Sequence, residues 1–139
     1  MKARPLVGLG VIIRKEGKVL FGKRKSAHGE GSWCCPGGHL EMWETFEACA
    51  KREVFEECDL EIKNIRPAPF TNDFFKTAGK HYVTIYFVAD WKSGVPLVKE
   101  PDKMVEWGWF DWNDLPTPLF LSQENLMKTG FNPNFTRLR

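Results

Sequence analysis

The chain has almost no excess of charge of either sign: 20 lysines and arginines stand against 18 aspartates and glutamates in 139 residues, a formal net charge of +2. Without a basic surplus it lacks the electrostatic footprint of a protein that grips a nucleic-acid polymer, and no such partner is expected. Also missing is any apolar run near the roughly 20 residues that cross a bilayer. The N-terminus does not have the basic, apolar and small-residue layout of a signal peptide, so a cytoplasmic protein without a membrane partner is expected. Cysteine is sparse and unpaired in pattern. Cys34 and Cys35 are adjacent, Cys49 and Cys58 lie further along, and no Cys-x-x-Cys spacing occurs; this argues against zinc and a disulfide framework and for buried free thiols. There is no internal repeat, low-complexity tract or interdomain linker. The length suits one core, so a single domain over residues 1–139 is expected.

What the chain does contain is a succession of strand patterns interrupted by one strongly acidic helix. Residues 6–14 and 19–25 are β-branched and apolar around the turn Lys15-Glu16-Gly17-Lys18, which predicts a hairpin. Residues 26–32 read as a loop and 33–35 as a short strand feeding a glycine loop. Strands are expected at 60–65 and 70–75, with prolines between them, at 81–91 and at 106–110. The stretch 92–103 mixes proline, glycine and alternating charge and reads as a surface loop. Residues 111–118 read as a turn, and 122–128 as a short helix ended by Gly130.

The acidic segment carries the chemistry. On a helix from about residue 45 to 58, Glu53 and Glu57 lie about 40° apart and Glu56 about 60° to the other side of Glu53. Phe46, Ala50 and Val54 share the side of Glu53 and Glu57, so two carboxylates border the buried stripe. Like charges there repel and desolvate unless a proton or cation neutralises them, and a hard divalent cation with oxygen ligands is the usual solution. Thr45 is the expected N-cap, near Glu44 at the positive helix end. Arg52 lies one turn from Glu56 and can hold it as an i,i+4 pair. Before the helix, Cys35-Pro36-Gly37-Gly38-His39 offers a glycine pair with backbone freedom to approach a metal or phosphate.

Gly38, five residues, Glu44, seven residues and then Arg52-Glu53-Val54-Phe55-Glu56-Glu57 resembles the Nudix box, the signature of hydrolases that cleave a nucleoside diphosphate linked to another group. Two positions depart from it: Trp43 and Asp59 stand where glycine is common. Trp43 could narrow the metal loop or shift substrate choice, whereas Asp59 tolerates the left-handed backbone that closes a helix. Further stretches resemble the MutT-type nucleoside triphosphate pyrophosphatases, which include the oxidised-nucleotide and thiopurine-nucleotide hydrolases. They are Gly22-Lys23-Arg24-Lys25, Pro36 to Glu41, His81 to Ile85, Glu100-Pro101-Asp102-Lys103, Trp107-Gly108-Trp109 and Leu115-Pro116.

The resemblance implies an α/β Nudix fold, a mixed sheet sandwiched between helices. It implies magnesium, with manganese as an alternative, held by the Gly37 carbonyl, Glu53, Glu56 and Glu57. Hydrolysis of a nucleoside triphosphate, oxidised or modified purines leading, to monophosphate and pyrophosphate follows, with Glu53 as general base or water-orienting group beside Arg52 and Glu56. A nucleotide sugar or isoprenyl diphosphate substrate, or a silent nucleotide-binding domain, is the alternative. A homodimer is compatible with this reading. Glu106 is expected to complete the metal shell from a neighbouring strand, against the alternative of a solvated charge. For Arg24 a phosphate contact and an exposed ion pair are both open. Gly38, Phe74, Thr84 and Leu121 are candidate substrate contacts. Trp107 and Trp109 share one sheet face and read as core, and His39 and His81 as structural hydrogen-bonders.

Overall fold

The computed structural model describes residues 2–135; the outermost residues of the expected 1–139 domain, 1 and 136–139, lie outside them. Strand β1 (Leu6–Lys15) turns through Glu16 and Gly17, both at positive φ, into β2 (Lys18–Arg24), the geometry of a two-residue hairpin that follows strand twist. β3 (Trp33–Cys34), β4 (Gly37–His39), β5 (Glu61–Phe75), β6 (Lys80–Ser93) and β7 (Met104–Asp111) complete a mixed sheet, joined by helices α1 (Phe46–Cys58) and α2 (Leu121–Lys128). β1 runs parallel to β6 from Leu6↔Tyr82 to Arg14↔Asp90, and the other ladders are antiparallel. Mixed sheet and two helices together give the expected α/β architecture.

Alternation along the hairpin splits the core in two. Leu9, Val11, Ile13 and Leu20 pack with Ala50 and Val54 of α1, while Ile12, Val19 and Phe21 pack with Leu126 of α2 and with Trp112 just after β7. Each helix therefore covers its own sheet face. Trp107 and Trp109 both pack against the α1-side cluster, as core residues rather than as a stacking wall. Of the three aromatic residues at the end of β7, Phe110 faces the other way.

Two elements differ from the sequence expectation. The glycine segment is not a loop but β4, with Gly8↔His39, Leu9↔Gly38 and Gly10↔Gly37 in register; glycine's poor strand propensity hides it. The prolines at 67 and 69 do not divide β5. They sit at its register irregularities, between Lys63/Arg66 and Pro67/Phe70, where a ladder hydrogen bond is already missing. All four cysteines are buried and free, and burial pushes the Cys34 thiol up to about 11 and the Cys49 thiol up to about 12. Among the described residues no helix is long and apolar enough to cross a membrane.

Candidate active site

β1 and β2 pair only at Arg14↔Val19 and Lys15↔Lys18; beyond them β1 takes β4 as its neighbour and β2 takes β3, while β7 runs along the other edge of β2. A cavity of about 520 Å³ lies at this parting of the sheet, with Gly8, Gly10, Arg24 and Cys34 in its walls. Its volume suits a small organic ligand.

Helix α1 supplies the acidic wall. Thr45 Oγ1 accepts from the Ala48 N–H at 3.1 Å, and Cys49, Ala50, Val54 and Cys58 are buried on the core side. That stripe fixes the rotation of the helix and so places Glu53, Glu56 and Glu57 on the cavity wall. The Gly37 N–H donates to Glu57 Oε1 at 2.7 Å, yet desolvation outweighs this bond and the nearby Glu53 and Glu100 charges add to it, pushing the carboxyl up to about 8. Glu53 is raised too, first by desolvation and against the pull of Arg52.

Arg52 organises the wall. Its guanidinium donates twice to Glu44, at 2.6 and 2.9 Å, and also to Glu53, to Glu56 at 3.0 Å and to the His39 carbonyl at 3.1 Å. The bidentate bond from Arg52 lowers Glu44 to about 2. Sequence spacing predicted only the Glu56 contact. The Glu44 pair crosses from the loop to the second turn of the helix, a distance no helical spacing encodes.

The glycine pair is required by close approach rather than by backbone freedom. A Cβ on Gly38 would lie 2.0 Å from Glu53 Oε2, and one on Gly37 would lie 2.0 Å from the Leu9 carbonyl oxygen. Neither residue is at positive φ. Trp43 reverses the pattern, because it is at φ 67 with its side chain 95% exposed, outside the cavity wall. Its expected effect on the pocket is therefore replaced by a backbone cost: a non-glycine residue in the left-handed region loses about 1–2 kcal/mol. Trp43→Gly should raise the unfolding free energy by up to about 1 kcal/mol after glycine's own entropy is counted, with substrate ranking unchanged. A chemical melt and a substrate panel check both halves. Asp59, at φ 63, closes α1 with its N–H bonded to the Phe55 carbonyl at 3.0 Å.

Residues 94–103 are not a free surface loop. The Leu97 N–H donates to the Cys58 carbonyl at 3.0 Å and Lys99 Nζ to the Phe55 carbonyl at 3.2 Å, so the strap supplies the cation that the last turn of α1 lacks. It then carries Glu100 into the cavity wall, close enough to raise both Glu53 and Glu57. Glu106 does not reach the cavity; it is exposed on β7, opposite Lys23. Glu100 joins Glu41, Glu53, Glu56 and Glu57 in the wall, and strand periodicity could not select it because it precedes the strand.

The same cavity also has an aromatic wall. His28, Phe75, Tyr82 and Phe120 line the cavity, with His28 to Phe75 centroids 4.5 Å apart and Phe75 to Phe120 5.1 Å apart. Arg24 lies over Phe120 at 4.1 Å and donates to the His28 carbonyl at 2.9 Å, and it makes no ion pair among the described residues. Phe74 faces away: it is exposed and rests on His81 at 4.7 Å, because strand alternation gives the cavity Phe75 instead. Leu121 is likewise outside the wall, which receives Phe120, Ser122 and Gln123. Thr84 is in it. His39 and His81 hold Tyr82 and Asn72 respectively, as structural hydrogen-bonders.

The glycine strand, the box helix and the cavity agree with a comparison of the whole chain: the model of the NUDIX domain matches residues 4–129. The chain belongs to the Nudix family. This Nudix domain is 32% identical over 126 residues to an ADP-ribose pyrophosphatase of Methanocaldococcus jannaschii, covering 89% of this chain and 72% of that protein. It is also 32% identical over 111 residues to the NAD-capped RNA hydrolase NudC of Edwardsiella ictaluri, covering 76% of this chain but only 39% of that one. Among solved structures it resembles a MutT NUDIX hydrolase from Burkholderia pseudomallei, with a TM-score of 0.83, 33% identity, and coverage of 90% of this chain and 98% of that chain.

Nudix hydrolases generally use divalent metals, and the donors of this Nudix domain have the right chemistry. They are hard oxygens, and Glu57 is a desolvated carboxyl that makes no ion pair among the described residues. Among the described residues no group of three carboxylate, imidazole or thiol side chains is gathered at the spacing of a closed shell; Arg52 instead holds Glu53 and Glu56.

Proposed function

We propose that the chain, as a single domain, is a magnesium-dependent pyrophosphohydrolase that releases a nucleoside monophosphate from a nucleoside triphosphate. The observation that carries this reading is one cavity with two unlike sets of lining residues: carboxylates with Arg52, and packed aromatic rings with Arg24, which makes no ion pair among the described residues. Together they match a phosphate chain that needs charge compensation and a base that needs a π-face.

Glu53, Glu56, Glu57 and the Gly37 carbonyl would hold magnesium, with manganese as a substitute. When bound, the metal neutralises the diphosphate and lowers the pKa of a water. Arg52 orients Glu53 and Glu56, Arg24 takes phosphate oxygens, and Glu53 accepts the proton of the attacking water. The aromatic wall stacks the base. A second reading, a nucleoside diphosphate joined to another group, is favoured by the names of the relatives, an ADP-ribose pyrophosphatase and NAD-capped RNA hydrolases.

A panel of ordinary and oxidised purine triphosphates, ADP-ribose, NAD, a nucleotide sugar and an isoprenyl diphosphate, assayed with magnesium, separates the two readings. For a triphosphate in oxygen-18 water, attack at the β-phosphorus should place label in pyrophosphate and none in the monophosphate. Release of orthophosphate with a nucleoside diphosphate would remove the chain from this reaction class.

A further inference from the structure

Three buried side-chain nitrogens lack a hydrogen-bond partner among the described residues: Arg14 Nε, Trp107 Nε1 and Gln123 Nε2. Of these residues, Gln123 alone lines the cavity. It is 1% exposed, on the first turn of α2, and its Oε1 accepts from the Cys35 N–H at 2.9 Å. That bond fixes the amide orientation, since the flipped form would set two donors against each other. The NH₂ end is then a sealed donor without an acceptor, which costs about 1–3 kcal/mol. Such a group on a ligand cavity fits a ligand that supplies the acceptor.

A neighbouring wall residue has the opposite polarity. Thr84 Oγ1 donates to Asp73 Oδ2 at 2.6 Å, and Asp73, fully buried, also takes Thr71 Oγ1 at 3.1 Å and Asn125 Nδ2 at 2.9 Å. With its one proton committed, the Thr84 hydroxyl can only accept from a ligand. The wall thus offers one fixed donor and one fixed acceptor. Sugars, whose hydroxyls rotate to suit any partner, and isoprenyl chains, which have no polar edge, have no need of such a pair. A nucleobase edge, with rigid donor and acceptor positions, does.

We propose that Gln123 is the specificity-determining residue of the base site, its carboxamide N–H donating to an acceptor on the nucleobase while Thr84 accepts from a base N–H. This rests on the reading of the ligand as a nucleotide. The test is calorimetric binding, without metal, of AMP, GMP, CMP, UMP and ribose 5-phosphate to the wild type and to Gln123→Glu, which keeps an oxygen for the Cys35 N–H and removes the donor. At least one nucleotide should bind wild type about tenfold or more tighter than ribose 5-phosphate, and Gln123→Glu should lose most of that advantage while still binding ribose 5-phosphate as before. If the variant keeps the advantage, or weakens ribose 5-phosphate equally, Gln123 is a structural anchor and the inference is overturned, with the nucleotide reading intact. If no base improves wild-type binding over ribose 5-phosphate, both fall. Should the variant not fold, base analogues stripped of one ring or carbonyl acceptor at a time decide the matter on wild type. One deletion should cost about tenfold, and uniform affinity across the series would reject the donor.

Discussion

Glu57→Gln should cut turnover at least about 100-fold and yet stabilise the metal-free protein at alkaline pH. The first effect follows from removing an anionic oxygen from the proposed metal wall. The second follows from linkage. The Glu57 carboxyl is raised from 4.5 to about 8 in the folded chain, so between those values the unfolded chain has released its proton while the folded one retains it. Folding stability therefore falls as pH rises through that window, and Glu53, raised for the same first cause, acts in the same direction. Glutamine does not titrate and can still accept from the Gly37 N–H. The gap between variant and wild type should be absent below about pH 4.5 and largest above about pH 8. Melting curves at pH 5 and pH 8.5 with and without magnesium check this. Magnesium should recover the wild-type loss and do little for the variant, whereas a gap independent of pH would show that Glu57 is not the strained group. Glu44 works in reverse: lowered to about 2 by Arg52, it contributes stability that is present above 4.5 and lost as pH falls through about 2.

Arg52→Ala should lower activity about 10–100-fold and the melting temperature together, because it positions two carboxylates and also ties the loop to the helix. Glu44, Glu53, Glu56 and the His39 carbonyl all lose a donor at once. Arg52→Lys should rescue little. A single ammonium cannot reproduce the fork on both Glu44 oxygens while reaching Glu53 and Glu56 from the other side. Turnover at saturating magnesium, measured beside the melt, separates misplaced ligands from weakened metal binding. Wild-type activity in the lysine variant would mean that charge alone suffices and that the planar geometry of the arginine is incidental.

The box helix was legible because a 3.6-residue period and a charge pattern say the same thing over its whole length: buried Ala50 and Val54 fix the face, and Glu53 and Glu57 must border it. The hairpin was legible for a similar reason, since alternation and the Glu16-Gly17 turn agree. What escaped depends on contacts made across the chain. β4 looks like a loop because its glycines are chosen for the atoms that pass beside them, the Glu53 carboxylate and the Leu9 carbonyl. Glu100 was passed over for Glu106 because only the strap's bonds to the end of α1 bring it inward. In the aromatic wall, Phe75 took the place given to Phe74 through a one-residue difference in strand phase, which the irregular register of β5 makes unreadable from one end. His28 had no signal at all in its polar, glycine-bearing segment.

The bond from the Cys35 N–H to Gln123 joins residues 88 positions apart. The segment that leads into the glycine strand is therefore tied to a helix made near the end of the chain, and the parallel ladder of β1 with β6 spans a similar stretch of sequence. Closing loops of that length comes late and slowly, because their entropy is lost before the contacts repay it. A chain still emerging from the ribosome would have its box helix and its carboxylates well before it had a floor to the cavity. Competence to bind should thus appear only with the docking of α2, as the closing step of folding.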